Sequence, residues 1–244
     1  MRYSLRYIID SLPAKKNSKS SLWVKLIVRK LSFIFTYLFI NIGFSPWAAS
    51  VFSVIVAIAG SILMMIPNYL CVVIGMVLVQ FWLILDCVDG NIARCKKQSS
   101  EMGSFIDALS GYYISAFVYL GTGVAAFNFS PLENFRYLFL LAGAISSISG
   151  ILSRLIHQKY TYTILTLEKQ NPDMVIPEEE VENKKSIQYI RSRVDKEIGI
   201  SGLFMPFLIV AAIFNLFGTI TIFYFAFQVV ALLAVTALYS IKAK

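Results

Sequence analysis

The chain has 244 residues, of which 57% are hydrophobic and only 15% are charged. Soluble domains average about 25% charged residues, so a water-soluble globule of this size would lack the charged side chains to cover its surface. The net charge of +8 does not make nucleic acid a main partner, because the positions of the basic residues have the membrane explanation given below.

The N-terminal region, residues 1–45, is basic and contains an amphipathic segment at residues 22–41. Apolar side chains recur there at three- and four-residue spacing: Trp23, Ile27, Leu31, Ile34 and Leu38. The pattern predicts an amphipathic helix that lies in the membrane interface. The alternative is that the second half of this segment is an early start of the first membrane span.

The rest of the chain, residues 46–244, contains six apolar segments that predict an all-α integral membrane domain. No Asp, Glu, Lys or Arg occurs in residues 31–85 or 198–241, and a spanning helix needs about 20 apolar residues. Each of these long stretches therefore holds two spans, and two shorter stretches add one span each. The predicted spans are 46–67, 68–88, 104–127, 134–157, 201–217 and 219–240.

The basic residues predict the orientation of these spans. With a cytosolic N-terminus, six spans return the C-terminus to the cytosol, and 21 of the 22 Lys and Arg residues then lie on that side, with Arg136 as the exception. This is the positive-inside pattern of a multi-pass membrane protein. The polar segment 159–199 between spans four and five is then cytosolic, and its order of proline, acids and bases from Pro177 to Lys196 predicts a helix.

Three aspartates mark a candidate site, because acidic side chains in or near apolar spans are costly. Asp86 and Asp89 lie three residues apart at the inner end of span two and share one helix face. Asp107 lies a few residues into span three, which returns from the same side of the membrane. Carboxylates gathered at one point need a proton or a cation between them, and an all-oxygen ligand set suits Mg²⁺ or Mn²⁺.

Small residues and an arginine accompany the aspartates. Gly90, Ala93, Gly103 and Ala108 would let a phosphorylated ligand approach the backbone, and Arg94 carries the charge to neutralise a phosphate. Together these residues favour phosphoryl chemistry on a diphosphate. They leave open an ion or proton pathway and a structural pairing of acids, although spans four to six contain no acid, which counts against a transporter.

The order and spacing of these residues resemble the signature of the CDP-alcohol phosphotransferase (phosphatidyltransferase) family. Seven positions match that signature in type and spacing: Asp86, Asp89, Gly90, Ala93, Arg94, Gly103 and Asp107. Residues 43–47 (GFSPW), which lead into span one, also look like the family's start. The resemblance implies an architecture of six spans after an amphipathic helix.

The resemblance further implies transfer of a phosphoalcohol group from a CDP-linked donor to a hydroxyl acceptor, with release of CMP and a divalent metal at the cytosolic face. Carried over by position, three residues resemble the family's metal ligands: Asp86, Asp89 and Asp107. Four resemble its nucleotide and diphosphate contacts: Gly90, Ala93, Arg94 and Gly103. The lipid is carried either by the donor, as CDP-diacylglycerol, or by the acceptor. The family's base rate favours the first direction, in phospholipid biosynthesis.

The sequence departs from the family at Gly111, where the signature has a fourth Asp that is read as metal ligand and catalytic base. A side chain at this position, one turn after Asp107, is expected to face the same point as the aspartates. Three accounts are open: a natural subgroup with its base elsewhere, a catalytically impaired protein that binds CDP-lipids, or a substitution that disables the enzyme. Nearby substitute bases are Tyr112, Tyr113 and Glu101.

Two weaker patterns concern the acceptor and the oligomeric state. Arg154, His157 and Lys159 lie at the inner end of span four, where similar proteins bind anionic acceptors, but topology alone also places basic residues there. Span four also has small residues at spacings that favour close helix packing, either within one chain or across a homodimer. These residues are Gly143, Ser146, Ser147 and Gly150.

Overall fold

The protein is described by a computed structural model that covers residues 3–13, 20–98, 101–170, 194 and 196–242. The described residues form helices and connecting turns, and no strand occurs among them. The first helices are α1 (Leu5–Asp10), a π-helical turn (Val24–Val28) that continues into α2 (Arg29–Asn41), α3 (Pro46–Leu63) and α4 (Tyr69–Cys95). They are followed by α5 (Glu101–Phe129), a 3₁₀ turn (Glu133–Phe135), α6 (Arg136–Gln170), a second π-helical turn (Ile200–Phe204), α7 (Met205–Phe214) and α8 (Phe217–Lys242).

Side-chain caps set the starts of the helices that lead to the site. Ser45 accepts a hydrogen bond from the backbone N–H of Ala48, and Pro46 occupies the first turn of α3. Asn68 caps α4 by accepting from the backbone N–H groups of Leu70 and Cys71. Helix α2 ends at Asn41 and α3 begins at Pro46, so the two helices are separate, and the interfacial position of residues 22–41 stays a prediction.

Five described helices are long and apolar enough to cross a membrane. They are Pro46–Leu63, Tyr69–Cys95, Arg136–Leu167, Lys196–Phe214 and Phe217–Ile241. They correspond to predicted spans one, two, four, five and six. Predicted span three corresponds to α5, which is not among the five, so the count of six stays a prediction.

Helix α6 continues past the predicted end of span four at residue 157 and reaches Gln170. Three threonine hydroxyls in this extension donate to the carbonyl one turn back: Thr161, Thr163 and Thr166. These bonds keep the hydroxyl groups satisfied within the helix, and the extension contains no glycine or proline to end it. Residues 171–193, which hold most of the predicted cytosolic helix, lie outside the described residues.

The packing of α3 determines where the site forms. Helix α3 packs along both α4 and α5, whereas α4 and α5 touch each other in only a few places. Close approaches between glycines bring the helices together: Gly60 of α3 meets Gly75 of α4, and Gly123 of α5 meets Gly143 of α6. Helices α4 and α5 have few direct contacts, and a cavity lies between the C-terminal end of α4 and the N-terminal end of α5.

Candidate active site

A cavity of about 1350 Å³ lies where α4 ends and α5 begins. The starts of α2 and α3 and the turn before α7 complete its walls. Each of the seven positions singled out in the sequence lines this cavity: Asp86, Asp89, Gly90, Ala93, Arg94, Gly103 and Asp107. The fold thus brings the whole pattern to one place, although it comes from two helices with few direct contacts.

The three aspartates differ in burial. Asp89 is 8% exposed, and its Oδ2 accepts a hydrogen bond of 2.5 Å from Oγ of Ser50 on α3. Asp86 is half-buried, and Asp107 is exposed at the edge of the cavity. Carboxylate oxygens that line one cavity fit Mg²⁺ or Mn²⁺ in ligand type. Within the described part of the chain, however, no three acidic, histidine or cysteine side chains are close enough together to hold one ion.

A chain of hydrogen bonds holds Arg94 at the cavity wall. Nη2 of Arg94 donates to Oδ1 of Asn91 at 2.5 Å, and Asn91 is fully buried. The amide nitrogen of Asn91 in turn donates to the hydroxyls of Ser32 and Thr36 on α2. Because one buried amide links α2 to Arg94, the position of the guanidinium depends on the seating of α2.

Arg29 is a cavity residue that the sequence reasoning missed. It begins α2, lines the cavity and is only 6% exposed. The sequence reasoning followed the apolar stripe of residues 22–41, but Ile27, Leu31 and Ile34 of that stripe are exposed. The buried face of α2 carries Arg29, Ser32 and Thr36 instead. Their spacing of three and four residues is the signal that would have identified this polar face.

A tight turn before α7 closes the cavity with residues that the sequence reasoning did not assign. Lys196 and Ser201 line the wall. The Ser201 carbonyl accepts from Ser21 Oγ at 2.6 Å, and Glu197 Oε2 accepts from the backbone N–H of Leu22 at 3.2 Å. Gly202 permits the turn, since a Cβ there would lie 2.1 Å from the Glu197 carbonyl oxygen.

Gly111 lies on a part of α5 that Arg154 of α6 approaches closely. It is absent from the cavity wall, and a Cβ built on it would lie 2.6 Å from Nη1 of Arg154 on α6. A side chain at this position would therefore meet Arg154 first. The expectation that it would also point at the aspartates stays a prediction.

The nearby candidates for a base are not gathered at the cavity either. Neither Tyr112 nor Tyr113 is part of the cavity wall. The hydroxyl of Tyr112 is buried without a hydrogen-bond partner among the described residues, and Tyr113 is exposed. The side chain of Glu101 lies outside the described part of the structure.

The predicted acceptor residues lie on α6, and none of Arg154, His157 and Lys159 lines the cavity. Nδ1 of His157 is 2.5 Å from the hydroxyl of Tyr239 on α8. The ammonium of Lys159 lies 5.5 Å from the centre of the Tyr162 ring. Of the three, Arg154 is the one placed beside a signature position, since it occupies the space next to Gly111.

The sequence profile of CDP-alcohol phosphatidyltransferases matches residues 24–170, which is more than half of the chain. This chain belongs to the CDP-alcohol phosphatidyltransferase family. The matched region contains all seven signature positions and Arg29, whereas Lys196 and Ser201 lie beyond it. A comparison with curated proteins gives no significant match. Membership indicates a multi-pass membrane transferase that uses a CDP-alcohol donor and a hydroxyl acceptor.

Proposed function

We propose that this protein is a metal-dependent membrane enzyme of lipid biosynthesis that transfers a phosphoalcohol group from a CDP-linked donor to a hydroxyl acceptor. The observation that carries the proposal is the meeting of all seven signature positions in one cavity. Its volume of about 1350 Å³ is ample for a nucleoside diphosphate, since small-molecule sites span roughly 300–1,000 Å³. The favoured donor is CDP-diacylglycerol with a small soluble alcohol as acceptor, and the reverse assignment uses a CDP-alcohol and a lipid acceptor.

The residues of the cavity divide the work of the reaction. Asp86, Asp89 and Asp107 would hold the divalent cation, Mg²⁺ or Mn²⁺, although they lie too far apart in this structure to hold one ion together, and Ser50 orients the Asp89 carboxylate. A cation held there would supply positive charge to neutralise the diphosphate and polarise its phosphorus–oxygen bonds. The Arg94 guanidinium, which is held by Asn91, neutralises further negative charge on the diphosphate. The small side chains at Gly90, Ala93 and Gly103 leave room for the nucleotide.

The bond changes are those of a phosphoryl-group transfer. The acceptor oxygen forms a bond to the phosphorus that carries the alcohol, the bond from this phosphorus to the CMP oxygen breaks, and the acceptor proton passes to a base. Gly111 supplies no such base. Tyr112 and Tyr113 stay the nearest described candidates in sequence, and binding of substrate would have to bring one of them to the acceptor.

The proposal includes a topology of six spans with both termini and the cavity on the cytosolic side. Helix α5, which has 29 residues, supplies the remaining span. The distribution of basic residues supports the orientation. The exposed apolar face of α2, with Ile34 at 51% and Leu38 at 49% exposure, supports its placement in the membrane interface, where that face contacts lipid.

A second function is favoured by one observation, the replacement of the family's fourth Asp by Gly111. With Arg154 beside this position, the site has one carboxylate fewer and one cation nearby. The alternative protein binds CDP-lipids and has little or no transferase activity. A homodimer is compatible with both functions.

The test measures CMP release by the purified full chain in detergent, with CDP-diacylglycerol and CDP-alcohols as donors and a panel of hydroxyl acceptors. We expect release that requires Mg²⁺ or Mn²⁺ and stops with a chelator. Release without metal would contradict the proposed mechanism. Binding of CDP without release from any donor would favour the second function, and absence of CDP binding would overturn both.

Metal binding has its own test, because activity alone does not separate metal ligands from substrate contacts. We expect Asp86→Asn, Asp89→Asn and Asp107→Asn each to weaken Mn²⁺ binding in the presence of CDP by at least about tenfold. The matched control is Asp10→Asn, an exposed carboxylate on α1 that does not line the cavity. Equal Mn²⁺ affinity in all four variants and the wild type would remove the metal site from the proposal.

A further inference from the structure

Arg29 is a buried arginine with a donor, Nε, that has no hydrogen-bond partner among the described residues. Its Nη2 donates to Oγ of Ser20 at 2.9 Å, and its Nε is buried. The side chain is 94% buried yet lines the cavity. A buried charge is costly unless it is paired and hydrogen-bonded, so this arginine is a candidate to receive a ligand.

Arg94 lines the same cavity, and it too has one hydrogen-bonded nitrogen and one buried nitrogen without a partner among the described residues. Its Nη2 binds Asn91, while its Nε is buried and has no partner in the described part of the chain. The two guanidinium groups are close enough for their charges to repel each other, although Asp89 partly offsets the charge of Arg94. Two partly buried cations with donors to spare are stabilised by an anion placed between them.

Hydrogen bonds also connect the two helices that carry the arginines. Asn91 donates to Ser32 and Thr36 on α2 and accepts from Arg94 on its own helix, α4. Arg29 precedes Ser32 by less than one turn of α2, and Ser32 Oγ donates to its carbonyl oxygen. The seating of α2 on α4 therefore positions both guanidinium groups before a ligand arrives, which lowers the entropic cost of binding.

We infer that Arg29 joins Arg94, the residue already proposed to contact the diphosphate, in a phosphate-binding pair in the cavity. A guanidinium presents planar, paired N–H donors that match two oxygens of one phosphate, and two such groups match a diphosphate. The identity of the ligand rests on the proposed function, under which the phosphates are those of the CDP-linked donor. The same chemistry would also recognise the phosphate of a lipid headgroup, so the experiment separates the two sources.

The experiment compares wild-type protein with Arg29→Gln, Arg29→Lys and the control Lys30→Gln. Lys30 is the exposed neighbour of Arg29 on the same helix, and its replacement removes the same unit of charge without touching the cavity wall. Binding of CDP, inorganic pyrophosphate and cytidine is measured by calorimetry on the purified full chain, and the KM for CDP-diacylglycerol is measured alongside.

We expect Arg29→Gln to weaken binding of CDP and pyrophosphate by on the order of ten- to a hundredfold, as for the loss of hydrogen bonds to a charged group. The affinity of Arg29→Lys for CDP and pyrophosphate should lie between those of the wild type and Arg29→Gln, because lysine keeps the positive charge but lacks the paired N–H donors of a guanidinium. Lys30→Gln should match the wild type. Cytidine, which lacks phosphates, should bind all four proteins equally, and the KM for CDP-diacylglycerol should rise more than kcat falls.

Two results would overturn the inference. One is equal affinity of CDP and pyrophosphate for Arg29→Gln and Lys30→Gln. The other is loss of binding of dihexanoyl phosphatidic acid in Arg29→Gln with CDP binding intact, which would assign Arg29 to a lipid headgroup. If Arg29→Gln does not fold, the affinities of Arg29→Lys for CDP and pyrophosphate are compared with those of Lys30→Gln instead. Absence of CMP release by the wild type would defeat the proposed function, while the pyrophosphate measurement would still test the arginine pair.

Discussion

The hydroxyl of Ser50 allows the aspartate site to be tested without removing a carboxylate. Its Oγ donates to Asp89 across the contact between α3 and α4 at 2.5 Å. We predict that Ser50→Ala weakens Mn²⁺ binding in the presence of CDP by roughly ten- to a hundredfold, the usual effect of losing a hydrogen bond that orients a metal ligand. The measurement is Mn²⁺ affinity by calorimetry or electron paramagnetic resonance.

Ser53 provides the matched control for this prediction. It is also a buried serine on α3, and its hydroxyl donates to the backbone carbonyl of Ser50 instead of to an aspartate. Ser53→Ala should leave the Mn²⁺ affinity unchanged. Similar losses in the two variants would mean that α3 affects the site through packing alone.

Gly111 is the residue at which the family comparison and the structure lead to different expectations. A carboxylate at position 111 first meets the Arg154 guanidinium, whose far end can move to accept it. We predict that Gly111→Asp forms an ion pair with Arg154 and does not increase CMP release, because the pair holds the new carboxylate away from the cavity. A double-mutant cycle with Arg154→Gln, read by thermal unfolding, should give a coupling of about 0.5–3 kcal/mol.

The uncharged variant Gly111→Asn is the control for that cycle, since it adds nearly the same volume without the charge. Its coupling to Arg154→Gln should be much smaller. An increase in CMP release and in Mn²⁺ affinity for Gly111→Asp would show that the carboxylate reaches Asp107 after all. That result would also favour the account in which the glycine disables the enzyme.

At the scale of helices, the contact between α5 and α6 depends on a pair of glycines. A Cβ on Gly143 would lie 2.8 Å from Cα of Gly123 and 2.9 Å from the carbonyl oxygen of Tyr119. Both are backbone atoms, so the helices would have to separate. We predict that Gly143→Ala lowers the free energy of unfolding by about 1–3 kcal/mol despite the better helix propensity of alanine.

Gly150, two turns later on α6, is the control. A Cβ there would meet Gln228 Oε1 at 3.4 Å, which is an ordinary contact with a side chain. Gly150→Ala should therefore leave the stability unchanged or raise it by up to about 1 kcal/mol in thermal unfolding. Equal effects at the two positions would contradict the close packing. In the structure, Gly143 packs within the chain against Gly123.

Helix α2 shows how a sequence pattern can identify an element and miss its role. The stripe lies in a helical part of the structure, Val24–Val28 and Arg29–Asn41, and its place in the membrane interface stays a prediction. The stripe reveals which side chains avoid water, but both a protein core and a lipid surface satisfy that requirement. In the structure much of the stripe is exposed, and the polar face with Arg29, Ser32 and Thr36 packs inward on α4.

At the scale of the whole molecule, the topology is open to direct measurement. Single cysteines are introduced at Ser4, Leu132 and Tyr162 in a background without Cys71, Cys87 and Cys95, and all three introduced positions are exposed. We predict that an impermeant maleimide labels only the Leu132 position in intact cells, because the positive-inside distribution places the other two in the cytosol. Labelling of the Tyr162 position from outside would contradict the predicted orientation of α6.

The sequence by itself determined the helical membrane class, the approximate spans and the positions of the signature residues. Hydropathy and helical spacing are local properties, so they specify that Asp86 and Asp89 share one face of α4 without reference to any other helix. Hydropathy alone likewise places the third carboxylate, Asp107, near the start of the next helix. All three line the cavity of the folded chain.

Only the tertiary structure decided which distant residues join them. Arg29, Ser50 and Lys196 reach the cavity from three separate parts of the chain, and no spacing in the sequence links them to the aspartates. Packing likewise decided that α3 separates α4 from α5 and that Arg154 fills the space at Gly111. A helical pattern sets the direction of a side chain, whereas the neighbour that it meets depends on how whole helices pack.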